Sequence, residues 1–327
     1  MFQVQEALQR VQAAAKEDAK GDPAAHAALL KEISELRDAV ESPDERLMRM
    51  RFHQNENLCI RVLIEYGVLQ AIASKNGQEV SAAQLAKETG ADELLIIRCM
   101  RLVTFTKVAE ETGHARYASN ETTKMITTRG GIGGELLHTD LGWGVGSKLI
   151  EMIRKKQFCQ FPDEPGQVGP FEFAYGKSLF EYMQQNQEQK RAFDDYMAFR
   201  RSASESQWFE TYPVAQEIGE LKGARIYYMR TILHSWSDKK SEAILSQIAK
   251  AMGPSYSRLL IDDYVLPDTG ADRHSAGMDF IQLMLAQGIE RTSSQWTSLL
   301  EAVGLEIVKI WRAEIGIDCV IEANLKS

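Results

Sequence analysis

The sequence predicts an α/β protein in which a helical N-terminal part containing a winged helix precedes the last strands and helices of a doubly wound sheet. Three observations predict it. Across the first two thirds of the chain, apolar residues recur mostly at helical spacing. Within that region, a helix–turn–helix from Val80 to Phe105 runs into a short alternating hairpin around Thr112-Gly113. After Tyr212-Pro213, alternating apolar strands and helices follow in the order β-α-β-α-α-β-β.

Composition sets the outer bounds. The 327 residues are 44% hydrophobic and 26% charged, ordinary for a soluble globular chain and enough for two domains. A formal charge of −8 argues against a nucleic-acid partner. No apolar run reaches membrane-spanning length, and MFQVQEALQRVQAAAKEDAK lacks the apolar block of a signal peptide. The four cysteines are scattered without a CxxC pair, and the six histidines show no metal-ligand spacing. The expectation is a cytoplasmic, metal-free protein with reduced thiols and no membrane or nucleic-acid partner.

Residues 2–19 and 24–41 read as helices separated by Gly21-Asp22-Pro23. The second carries Leu29, Leu30, Ile33, Leu36 and Val40 at helical spacing. Pro43 separates this arm from an apolar helix around Asn57–Ser74, which needs cover from another helix or a second subunit. A homodimer is therefore expected. In the winged helix, Ser81 caps AAQLAKETG, Gly90 to Asp92 form the turn, and DELLIIRCMRLVTF is the second helix. A DNA-reading helix would be basic, yet Arg98 and Arg101 face Asp92 and Glu93 in a largely apolar segment. Packing or dimerisation is the better expectation. The glycines at 130–134 and 142–146 follow no strand and lack G-x-G-x-x-G spacing, so they read as close helix contacts or turns.

The pattern is helical again from Glu135 to Phe209. Phe173, Phe180, Tyr182, Met183, Phe193, Met197 and Phe199 either pack a core or wall a pocket for a flat apolar ligand. Ala224–Met229 is a strand leading to His234 and Trp236, and Asp238 is the expected cap of a helix over Lys239–Met252. A strand that delivers a histidine beside an aromatic, where a helix begins, is how an open sheet presents a base to a ligand. A strand at Arg258–Tyr264, helices at Met278–Ala286 and Ser293–Ala302, and the pair LEIVKIW and DCVIEANL complete the chain, joined through Glu314-Ile315-Gly316. The expected divisions are 1–130 for the helical arm and winged helix, 131–220 for a helical connector, and 221–327 for the α/β part.

The segments YPVAQEI, GARIYYMRTILHSWSD, SRLLIDDYVLPD, MDFIQLML and GIERTSSQWTSLLEAVGLEIVKIW resemble the plant and fungal metal-independent small-molecule O-methyltransferases of the caffeic-acid type. The fungal secondary-metabolism branch fits best, and the resemblance runs from about Asp44 onward. It implies a class I methyltransferase-like (Rossmann-like) C-terminal domain, an N-terminal dimerisation domain, S-adenosylmethionine (SAM) as methyl donor, and a hydroxylated aromatic or polyketide-like substrate. Residue by residue, it implies His234 as general base, with Asp263, where the family usually has glutamate, and Glu290 orienting it. Arg230 and Trp236 match positions lining the SAM site, and Met197, Arg200 and Met284 match substrate-pocket positions. Ser235 stands where the family usually has aspartate.

One departure is large. In the family, a strand with an acidic, glycine-rich loop and a second strand ending in a ribose-binding acid precede the GAR strand. Here Glu217 and Gly223 are separated by only a few residues. The expected sheet is truncated, with Ala224–Met229 at its edge, and SAM binding in the family manner is not expected. Three functions follow: methyl transfer by descent with His234 as base, a SAM-independent pericyclase or isomerase, or a non-catalytic dimerising pseudoenzyme. Retention of His234, Asp263 and Glu290 weighs against the third.

Overall fold

The computed structural model describes residues 2–164, 166–203, 225–312 and 318–326. The chain forms two units, Met1–Leu141 with Asn186–Ala203, and Gly142–Gln185 with Ser204–Ser327. The segment YPVAQEI, the short Glu217–Gly223 passage and the Glu314–Gly316 joint lie outside the described residues.

In the first unit, the helices Phe2–Asp18 and Pro23–Val40 are separated by a turn at Gly21, with Asp22 capping the second through the Ala24 amide. The next helix starts at Pro43, well before the apolar stretch that marks it in sequence, because Ser42 and Glu45 form a capping box. It ends at Glu65, and a new helix, Val68–Ser74, begins after Gly67 in the left-handed region. The apolar segment read as one helix is therefore two. The winged helix is present as helices Ala82–Thr89 and Glu93–Phe105 with strands β1 (Val80–Ser81), β2 (Glu110–Gly113) and β3 (Arg116–Ala118) in the order β1-β3-β2. Ser81 forms a capping box with Gln84, and Gly90 ends the helix at φ +75°. Leu69, Ile72, Leu85, Ile96, Met100 and Val103 are buried together as the core of this unit.

Glycines 130, 133 and 134 lie on the helix Arg129–Glu135 against the helix Gln187–Ala203. A Cβ at Gly130 would collide with Phe199, at Gly133 with the Ala192 carbonyl, and at Gly134 with the Tyr196 ring. These glycines permit a close helix crossing. Sequence periodicity did not distinguish the π-helical turn Leu136–Trp143 that follows from an ordinary helix.

The second unit is built on a four-stranded sheet in the order β4-β5-β7-β6. Strand β4 (Ile226–Arg230) runs parallel to β5 (Arg258–Tyr264), while β7 (Asp318–Leu325) is antiparallel to both β5 and β6 (Leu305–Arg312). Side chains alternate across β5, so Leu259 and Ile261 join Leu245, Trp296 and Leu300 of the helices Asp238–Ala251 and Ser293–Glu301 in one core. Trp296 also donates from its indole to the Tyr264 carbonyl at 2.9 Å, fixing the last helix against the end of β5. Among the described residues, β4 pairs with β5 alone and its other edge carries no strand.

Candidate active site

Strand β4 ends at Arg230, and Thr231, at φ +48°, turns the chain into a single 3-10 turn, Leu233–Ser235. Ser237, rather than Asp238, caps the helix that follows, its hydroxyl accepting from the Lys240 amide. Asp238 is thereby the first helical residue and is left to pair with Arg291. His234 sits in the turn with its side chain 17% exposed, and its Nδ1 lies 3.0 Å from Glu290 Oε1. A hydrogen bond of this kind fixes the tautomer: Nδ1 carries the proton and Nε2 the basic lone pair.

Backbone contacts hold Glu290 opposite the histidine. The helix Arg273–Ala286 stops at Gln287 in the left-handed region, and Gly288 follows. A Cβ on Gly288 would collide with the His234 carbonyl. That same carbonyl accepts the Ile289 amide at 2.8 Å. The Glu290 amide in turn donates to Asp279 Oδ1 at 2.8 Å. Next in sequence, Arg291 is buried: it donates to the Leu233 and Trp236 carbonyls at 2.8 Å each and to Asp238, with its guanidinium over the Trp296 ring. Arg291 thus ties both ends of the histidine turn to the glutamate loop.

Asp263, near the end of β5, approaches from the sheet. Its Oδ1 lies 3.7 Å from His234 Nδ1, too far for a hydrogen bond, so of the two carboxylates it is Glu290 that bonds the ring. Asp263 Oδ2 and Glu290 Oε2 are both buried without a hydrogen-bond partner. Burial pushes the Asp263 carboxyl up to about 7; His234 opposes the rise and Glu290 adds to it. Donor atoms of the three residues lie within 4.8 Å of one another.

The other expected site residues are dispersed. Arg230 Nε lies 3.3 Å from Asp262 Oδ2, which also accepts the Tyr228 hydroxyl at 2.7 Å. Trp236 is 41% exposed, with Lys240 Nζ 5.6 Å from its ring centroid. A cavity of about 190 Å³ opens beside the turn, bounded by Phe161, Phe180, Ser235, Trp236, Lys240 and Gln287. Met284 is buried on the helix Arg273–Ala286. Met197 and Arg200 lie on the helix Gln187–Ala203 of the first unit, where Arg200 stands 5.9 Å from the Tyr196 ring and Tyr196 contacts His138 at 3.2 Å. Sequence reasoning missed Gly288, Asp279 and Arg291. For Gly288 and Arg291 the local signal is the run Gly288-Ile289-Glu290-Arg291 between a helix end and a Thr292 cap, and Asp279, inside a helix, carries none.

Residues 217–306 match the family model of the O-methyltransferase domain. The O-methyltransferase penC of Penicillium thymicola is 25% identical over 370 positions, spanning 93% of this chain and 92% of its own. The demethylsterigmatocystin 6-O-methyltransferase of Aspergillus parasiticus is 24% identical over 343 positions, spanning 85% of this chain and 87% of its own. Of the 327 residues, 93% and 85% are about 304 and 278, so about 65 positions of each alignment have no residue of this chain. Among solved structures, OxaC in complex with sinefungin and meleagrin has a TM-score of 0.81 at 23% identity, covering all of both chains. LepI in complex with SAM has a TM-score of 0.77 at 19% identity, covering 98% of this chain and 99% of that one. At these identities the structural likeness establishes the fold.

The described residues do not fit SAM. Arg230 is engaged with Asp262, and the outer edge of β4 carries none of the strands that would bring a glycine-rich turn and a ribose-binding acid beside it. Micromolar affinity requires about 8 kcal/mol, more than one ion-paired arginine and one half-open indole supply.

Proposed function

We propose, for a chain that is a relative of the fungal O-methyltransferases of secondary metabolism, that its site removes the proton from a hydroxyl of a hydroxylated aromatic or polyketide-like small molecule, with His234 as the base. The observation that carries this reading is the 3.0 Å contact between His234 Nδ1 and the buried Glu290 carboxylate, on a ring that keeps partial exposure. Glu290 fixes the tautomer and stabilises the imidazolium as it forms, while Nε2 takes the proton. A phenol near pKa 10 and an imidazole near 6.5 differ by roughly 5 kcal/mol, so a free phenolate is not formed ahead of the next bond change. Positioned proton transfer of this kind contributes about 10²–10⁴ in rate.

Because the described residues do not fit SAM, the reading followed here is a SAM-independent isomerisation. The proton leaves oxygen for His234 Nε2, the oxygen electron pair shifts into the ring or enone system, and the proton returns at carbon. Atoms and electrons balance without a co-reactant. The fold of LepI, which is described as bound to SAM, and that of a neighbour described as a pericyclic reaction enzyme (TM-score 0.77, 19% identity) support a fold that serves more than one chemistry. Methyl transfer is the second reading, supported by the O-methyltransferase domain match over residues 217–306. Met197, Arg200 and Met284 are the proposed substrate contacts, and the chain is proposed to work as a cytoplasmic homodimer. Among the described residues, no single helix is long and apolar enough to cross a membrane.

The test is to incubate the full chain with a panel of phenolic and polyketide-like compounds, with and without labelled SAM, and follow products by chromatographic retention and mass. Isomers of unchanged mass that vanish in His234→Ala carry the first reading. Label transfer dependent on His234 carries the second, and no product with either rejects both.

A further inference from the structure

The His234 cluster is more anionic than its surroundings balance. Two carboxylates, each side chain 1% exposed, lie near a single imidazole. Glu290 makes the hydrogen bond at 3.0 Å, whereas Asp263 stands off at 3.7 Å. One oxygen of each carboxylate has no hydrogen-bond partner. An ionised carboxylate buried with an orphan oxygen incurs a large desolvation cost.

Among the described residues, the remaining neighbours do not discharge it. The Arg291 charge opposes the rise of the Asp263 carboxyl only weakly, and its donors go to Leu233, Trp236, Asp238 and Ser241. On β7, Cys319 faces Asp263 across the strand pair, and Arg312 beside it donates to the Val265 carbonyl. Arg230 on β4 pairs with Asp262, which points to the opposite face of β5. Asp279 accepts the Glu290 amide and adds a further acidic group nearby. Tyr264 donates its backbone amide to Asp263 Oδ1 at 3.1 Å.

We propose that Asp263 is a neutral carboxylic acid in the resting site, holding a proton beside the His234–Glu290 pair, so that Glu290 is the one anion that sets the strength of the base. Two buried like charges sharing one site separate in this way, one ionised and one protonated. Asp263 is then a positioning residue that supplies shape and a proton reserve without negative charge. It also explains physically how an aspartate serves where the family usually has the longer glutamate: a neutral side chain need not reach the ring. This inference rests on His234 being the base, but its test needs no substrate.

The experiment is a histidine NMR titration on the full-length protein, reading the His234 pKa and tautomer in the wild type, Asp263→Asn and Glu290→Gln. With Asp263 neutral, Asp263→Asn leaves the His234 midpoint within about 0.3 pH units and keeps the Nδ1–H tautomer. Glu290→Gln lowers the midpoint by about one unit or more, because it removes the charged partner. An Asp263→Asn midpoint that falls as far as that of Glu290→Gln overturns the proposal. Should Asp263→Asn fail to fold, infrared spectra of aspartate-labelled wild type decide instead. A neutral buried carboxyl band must disappear on raising the pH from about 6 to about 9, and its absence at the lower pH is equally fatal. An inactive chain with the expected titration would remove the functional reading and leave this one intact.

Discussion

At the scale of single residues, the histidine turn separates two contributions that sequence alone merges. Glu290 touches the ring and Asp263 does not. Substituting Glu290→Gln should therefore lower turnover on any substrate found by about 10²–10⁴, near the loss from His234→Ala, as measured by initial rates. Asp263 has a stability consequence of definite sign. Its carboxyl has an ordinary value of 3.8 and is held near 7 by burial, so the unfolded chain releases this proton at lower pH than the folded one. Between those values folding takes up a proton, stability falls as pH rises, and above about 7 the cost is complete. Replacing it with asparagine removes that cost. The melting temperature of Asp263→Asn should exceed the wild type by several degrees at pH 8, with the gap closing toward pH 4. Scanning calorimetry across that range would show a constant gap if the acid were not the cause. Gly288 is the residue least legible in sequence, since one glycine after a helix is ordinary. Its role appears only when the His234 carbonyl is seen to occupy the place of its Cβ.

At the scale of elements, Arg291 connects the site to the fold. It holds the carbonyls on either side of the turn and stacks on Trp296, the largest fully buried side chain of this unit. Arg291→Met should cost about 1–3 kcal/mol, because the Leu233 and Trp236 carbonyls lose their buried donor, while the largely exposed Asp238 turns to water. Urea unfolding at neutral pH would measure it, and a loss under 1 kcal/mol would show the network to be dispensable. In the first unit, the glycine crossing makes a similar claim. Gly133→Val places side-chain atoms against the Ala192 carbonyl and should separate the two helices, destabilising by about 1–3 kcal/mol or more. The strands and the winged helix could be read from alternation and caps, and Ser81, Gly90 and Asp92 do what their types predict. Two features could not be read. The charged first half of the Pro43–Glu65 helix has little apolar stripe to announce it, and the π-helical turn keeps an apolar pattern that periodicity assigns to an ordinary helix.

At the scale of the whole molecule, the aligned relatives carry about 65 positions that have no residue here, and the sheet has four strands in the described residues. Titration calorimetry with SAM should show no binding at micromolar concentration; a dissociation constant in that range would return methyl transfer to first place. The resemblance to the O-methyltransferases was legible because its sequence signals are concentrated in the C-terminal third, where His234, Asp263 and Glu290 fall within residues 217–306, the span that matches the O-methyltransferase domain. The substrate was not, because Met197 and Arg200 belong to one unit and Met284 to the other, and neither spacing nor burial specifies a ligand.

The tie between the Ile289 amide and the His234 carbonyl has a consequence for evolution. A histidine whose distance to its carboxylate partner is set by main-chain atoms is insulated from drift in the side chains around it. Such a clasp is a heritable module. It can outlast the loss of a neighbouring function, and new chemistry can be recruited to it by altering only the walls that meet the substrate.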